Sequence, residues 1–174
     1  YMAAQNSLGQ WGNQRRDSIE IAEGSRYIAD NNRLLVFIDD ATHPRIYIYT
    51  RAQKRPQLVR MWPADKCSAD PEMLKEVWAW TVANYPAAEY GLVMWSHADG
   101  WIPATNTEYA RGRMRPFSFG IDTGTADMGN DARGTQMDID DMAAAIAAAG
   151  VRLRYIFFDA CLMQNVEVAY ALRN

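Results

Sequence analysis

Sulfur and imidazole are scarce in this sequence. Its 174 residues contain two cysteines, Cys67 and Cys161, and two histidines, His43 and His97. Such a set supplies neither a disulfide framework nor a tetrahedral zinc site, both of which need more ligands. Any chemistry that uses a base titrating near neutrality therefore has few candidates. Long apolar runs are also missing, and none approaches the ~20 residues of a membrane helix. An excess of basic residues is absent too. The 18 Lys and Arg against 21 Asp and Glu leave a net charge of −3, which is no footprint for a nucleic-acid partner. No signal-peptide pattern opens the chain, and there is no initiator Met. At Arg173-Asn174 it stops in mid-helix by pattern, without Gly or Pro. The expectation is a piece of a larger single domain, residues 1–174, lacking its first strand and its C-terminal part.

What is present reads as an ordinary globular core, 49% apolar and 22% charged. Leu34–Ile38 is a short apolar run ending in Asp39-Asp40, and Arg45–Tyr49 alternates polar and apolar positions, so the two predict a hairpin at one edge of a sheet. Residues 13–30 carry Ile19, Ile21, Ala22, Tyr27 and Ile28 among charges and predict an amphipathic helix. Asp70-Pro71-Glu72 combines an N-cap carboxylate, Pro at the first helical position and an acid in the first turn, so a helix starts there. Pro86 ends it. Tyr90–Trp95 and Arg152–Phe158 are further buried-strand runs. Residues 101–135 read mostly as a long loop, interrupted by a short strand expected at Phe117–Ile121. Helices are expected again after Met137 and over Asn165–Leu172.

Strands alternating with helices imply crossover units and a mostly parallel sheet covered on both faces. In such sheets, sites form beyond the carboxyl ends of the strands. His97 follows one apolar strand and Cys161 another, so the two can meet over one end of the sheet. A nucleophilic thiol needs thiolate character, a nearby base and donors for an oxyanion. The helix expected after Cys161 offers a favourable dipole for a thiolate. The competing explanation is that a free Cys is often just a small buried hydrophobe.

The residues also carry a family likeness. Trp95-Ser96-His97-Ala98-Asp99-Gly100-Trp101 resembles the histidine motif of the clostripain family of cysteine peptidases. Phe158-Asp159-Ala160-Cys161-Leu162-Met163 is similar to its Asp-Ala-Cys motif, and Tyr1–Leu8 resembles its first strand and loop. The likeness spans nearly the whole chain. It implies a caspase-like three-layer α/β/α sandwich and cleavage of protein or peptide substrates after Arg or Lys. Cys161 would be nucleophile, His97 acid/base, and Asp159 the carboxylate of the specificity pocket. Backbone N–H groups at Ala98 to Gly100 and at Cys161 would hold the oxyanion. Secretion or a cell-envelope location is implied in the same way.

One departure stands out, because the family usually has Gly where this chain has Ala98. Ala there would be strained by roughly 1 kcal/mol or more if φ is positive. Asp39, Asp40 and Asp99 are candidates to orient His97, although a dyad requires none. His43, in a Thr-His-Pro turn, reads as structural and Cys67 as a spare thiol. Trp78 and Trp80 read as core or helix-edge residues, and Trp101 as a wall of the cleft. Arg111, Arg113 and Arg115 form a basic loop, either plain solvated surface or a site of self-cleavage, with Arg173-Asn174 a second such junction. No cofactor is expected for the chemistry. Calcium is implied only through the family, and Asp138, Asp140 and Asp141 fit a helix start better than a calcium loop. Two rivals stay open: a silent homologue that binds, and a different α/β thiol hydrolase such as an amidase.

Overall fold

A computed structural model describes residues 1–53, 55–100 and 118–173. Six strands form one sheet in the order β4-β3-β2-β1-β5-β8. They are β1 (Met2–Ala3), β2 (Leu34–Asp39), β3 (Arg45–Tyr49), β4 (Gln57–Met61), β5 (Tyr90–Trp95) and β8 (Leu153–Asp159). β2, β1, β5 and β8 run parallel, whereas β3 and β4 return antiparallel at one edge. The expected edge hairpin is thus three strands deep. β4 was not foreseen because Gln57-Leu58-Val59-Arg60-Met61 lacks clean alternation. A separate two-stranded sheet pairs β6 (Phe119–Asp122) with β7 (Thr135–Met137).

Side chains alternate between two apolar layers, as a strand period of two requires. Met2, Val36, Ile38 and Trp95 face one layer, where Ile21 and Ala22 of α2 (Asn13–Gly24) cover them. Ala3, Phe37, Leu92 and Met94 face the other. There they meet Met73, Leu74 and Val77 of α3 (Pro71–Asn84), Met142 and Ile146 of α4 (Ile139–Ala147), and Val168 of α5 (Val166–Ala171). The result is a three-layer α/β/α sandwich. Leu74 and Met94 are fully buried; burying such a side chain contributes about 1.5–3 kcal/mol.

Local signals set the helix limits. Asp70 caps α3 by accepting the Glu72 N–H at 2.9 Å, with Pro71 next. Gly150, at φ +67°, closes the chain after α4. α1 (Ser7–Gln10) follows β1 directly and is capped by Asn6, whose Oδ1 accepts the Leu8 N–H at 3.0 Å. The same Asn6 amide donates to Ala3 O, Ser96 Oγ and Ile121 O. One buried side chain thereby ties the ends of β1, β5 and β6 together at the carboxyl edge of the sheet.

Candidate active site

β5 and β8 are adjacent and parallel, with Trp95 paired to Asp159 at their carboxyl ends. His97 and Cys161 each lie two positions beyond that pair. Neighbouring strands are about 4.8 Å apart, so the two loops leave the sheet side by side. They also touch. A Cβ built on Gly100 would be 3.2 Å from Leu162 O and 3.4 Å from Asn165 Nδ2. Asn165 Nδ2 donates to Leu162 O at 2.8 Å. The histidine loop therefore packs against the carbonyl that directly follows Cys161.

His97 is half-buried. Its Nε2 is 2.9 Å from Ser7 Oγ and 3.3 Å from Asp131 Oδ2. Ser7 in turn donates its hydroxyl to Asp131 Oδ2 at 2.5 Å and its N–H to Oδ1 at 2.9 Å. Neither group was foreseen from sequence. Asp131 opens a short 3-10 turn, Asp131–Arg133, within what read as loop. The expected orienters Asp39 and Asp40 are engaged elsewhere. Asp40 forms a salt bridge with Arg45 at 2.8 Å, and Asp39 accepts from Gln5 Nε2 at 3.0 Å. Asp99 donates its backbone N–H to Ser118 O at 2.9 Å.

Cys161 is a free, exposed thiol. The expected helix dipole behind it is absent at that position. A turn over residues 160–162 intervenes, and α5 begins only at Val166, capped by Asn165. Leu162, with φ +57°, is the one non-glycine in the left-handed region among the described residues. That conformation costs a residue with a Cβ about 1–2 kcal/mol.

Ala98 has no positive φ, so replacing the family's Gly costs no strain here. It is buried and bridges Phe119. The flanking bonds run from Gly120 N to His97 O and from Asp99 N to Ser118 O, both at 2.9 Å. In such a pair the central residue points its own N–H to the opposite side, so neither bond consumes the Ala98 donor.

Asp159 is exposed and, among the described residues, its carboxylate has no hydrogen-bond or ion-pair partner. Partial burial against the sheet end, with the Asp17 charge adding to it, raises its pKa above the ordinary carboxylate value. A cation set beside it would reverse that shift. Cys67 is half-buried, and burial together with Asp122 pushes its thiol up to about 11. His43 is exposed in its turn. Trp78 is buried against Tyr90, as expected for a core residue. Trp101, Arg111, Arg113, Arg115 and Asn174 lie outside the described residues.

Asp140 and Asp141 occupy the first turn of α4, with Asp138 at its cap position. Among the described residues, no group of three or more His, Cys, Asp or Glu is placed to hold a metal ion. No described helix is long and apolar enough to cross a membrane.

A six-stranded, mostly parallel sheet carrying an imidazole and an open thiol on adjacent strand ends defines an α/β/α sandwich of the cysteine-peptidase type. A clostripain-family profile matches residues 1–174, and the chain belongs to that family. A secreted C11 cysteine protease from Bacteroides thetaiotaomicron, solved with an irreversible peptide inhibitor, is 34% identical over 100% of this chain, with a TM-score of 0.81. An inactive zymogen C11 protease from Parabacteroides distasonis is 28% identical over 99% of this chain, with a TM-score of 0.72. This chain spans 44% of the length of each of those two structures. No curated protein matches it.

Proposed function

We propose that the chain carries the nucleophile and the acid/base of a cysteine endopeptidase that cleaves after Arg or Lys. The observation that carries the proposal is the contact of the two loops, Gly100 against Leu162 O, beyond the registered pair Trp95 and Asp159. His97 takes the proton of the Cys161 thiol, and the sulfur attacks the scissile carbonyl. The Ala98 and Cys161 N–H groups receive the developing oxyanion, where preorganised donors act most strongly. His97 then protonates the leaving amine, and water attacks the acyl-enzyme with the same imidazole as base.

Asp159 is the specificity carboxylate in this reading. It stands beside the nucleophile without a partner among the described residues, and a carboxylate can accept both arms of a guanidinium. Its raised pKa supports a site that waits for a cation. Self-cleavage at Arg111, Arg113 or Arg115 belongs to the same proposal. Support comes from a relative described as an inactive zymogen. A relative described as secreted supports export.

The test is a panel of fluorogenic peptides ending in Arg, Lys or Asp, offered to the full-length protein and to Cys161→Ala. Turnover of the Arg and Lys peptides alone, abolished by the substitution, is expected. Turnover that survives Cys161→Ala, or none with any peptide, contradicts the proposal.

A further inference from the structure

The arrangement behind His97 fixes more than its position. Asp131 is bound twice by Ser7, through the N–H at 2.9 Å and the O–H at 2.5 Å. A serine hydroxyl has one proton, and a carboxylate only accepts. With that proton given to Asp131, the Ser7 oxygen can only accept from the imidazole nitrogen 2.9 Å away. His97 Nε2 must then carry hydrogen, and it also faces Asp131 Oδ2 at 3.3 Å.

We propose that Asp131, acting through the Ser7 hydroxyl, is the positioning residue of His97. It holds the ring with its proton on Nε2 and leaves Nδ1 to exchange a proton with Cys161. The proposal rests on the assignment of His97 and Cys161 above. In the attack step the S–H proton moves to Nδ1, and the resulting imidazolium keeps its Nε2–H on Ser7 and Asp131. Nδ1 then passes that proton to the leaving nitrogen as the C–N bond breaks. The ring returns to its starting tautomer, and neither Ser7 nor Asp131 gains or loses a proton.

The supports of this arrangement are themselves rigid. Ser7 is buried at the first position of α1, directly after Asn6, whose amide ties together the ends of β1, β5 and β6. Asp131 is held by its own turn, in which Gly134 N donates to its carbonyl at 3.2 Å. A plain capping role for Asp131 at Ser7 N would need only the 2.9 Å contact to Oδ1. The second oxygen, turned toward both the hydroxyl and the imidazole, is what capping leaves unexplained.

Two readouts separate positioning from structure. The first is a two-bond proton–nitrogen correlation spectrum of the full-length protein carrying Cys161→Ala, at a pH where the ring is neutral. The His97 signal is assigned by its disappearance in His97→Gln. The expected ring is protonated at Nε2, and adding Asp131→Asn, alone or together with Ser7→Ala, brings in the other tautomer. The second is steady-state turnover with Cys161 intact. In Asp131→Asn, kcat is expected to fall roughly 10- to 100-fold, part of the ~10²–10⁴ that acid–base catalysis supplies, with KM little changed. Ser7→Ala is the second variant should Asp131→Asn not fold. An Nδ1-protonated ring in the first spectrum, or a tautomer or a kcat that survives the substitution in folded protein, would each overturn the proposal. The first spectrum needs no turnover, so it decides the positioning claim even if the peptidase assignment fails.

Discussion

Gly100 lies against the carbonyl oxygen of Leu162, close enough that a methyl group on its Cα would be 3.2 Å away. Its φ of +96° is a conformation that residues with a Cβ adopt only under strain. Gly100→Ala is therefore expected to lower the unfolding free energy by about 1–2 kcal/mol. It should also separate the two loops. A misplacement of about 1 Å can cost ~10²-fold in rate, so kcat/KM is expected to fall well beyond what lost stability explains. Urea unfolding beside steady-state kinetics measures both.

The Asp159 carboxylate makes no contact that stabilises the fold, because it is exposed and has no hydrogen-bond or ion-pair partner among the described residues. Asp159→Ala should leave the melting temperature unchanged or slightly raised at neutral pH, because the ionised carboxylate is disfavoured in the fold. Losing a charge-assisted pair worth roughly 1.5–3 kcal/mol corresponds to about a 10- to 150-fold drop in kcat/KM for Arg peptides. Unchanged Arg preference in this variant would favour a different thiol hydrolase.

Arg111, Arg113 and Arg115 are expected to mark a maturation site. Intact masses of purified wild type and Cys161→Ala after incubation check this. A cut after one of the three arginines should appear in wild type only.

Asp39 is fully buried with one oxygen unpartnered. Burial, and then the Asp122 charge, push its carboxyl up to about 9 from 3.8. A carboxyl raised in this way favours the fold while protonated. That contribution is complete below the unfolded value and is lost as pH climbs toward 9. Asp39→Asn, which cannot ionise, should match wild type near pH 4 and become progressively more stable than it between about pH 5 and 9. Denaturation midpoints across that range give the answer.

Much of this was legible in the residues. The apolar runs of β2, β5 and β8 and the cap Asp70-Pro71 placed the main elements, and the two motifs pointed to one end of the sheet. Ser7 and Asp131 were not legible, because their contact with His97 joins positions far apart in the chain through a short turn with no periodic signal. The helix over Asn165–Leu172 was legible, but the turn that separates it from Cys161 was not. Nothing in Cys161-Leu162-Met163 announces a left-handed residue, yet Leu162 adopts one and delays the helix to Val166.

The proposed chemistry requires His97, Cys161 and Asp159 to form one site. Alkylation of the full-length protein by an arginyl chloromethylketone, read by peptide mass spectrometry, tests this most directly. One adduct on Cys161 is expected, with none on Cys67, whose half-buried thiol stays protonated at neutral pH. The labelling rate should fall at least ~10-fold in His97→Ala and again in Asp159→Ala. Labelling of Cys161 at an undiminished rate in both variants, or an adduct on Cys67 instead, would contradict the account.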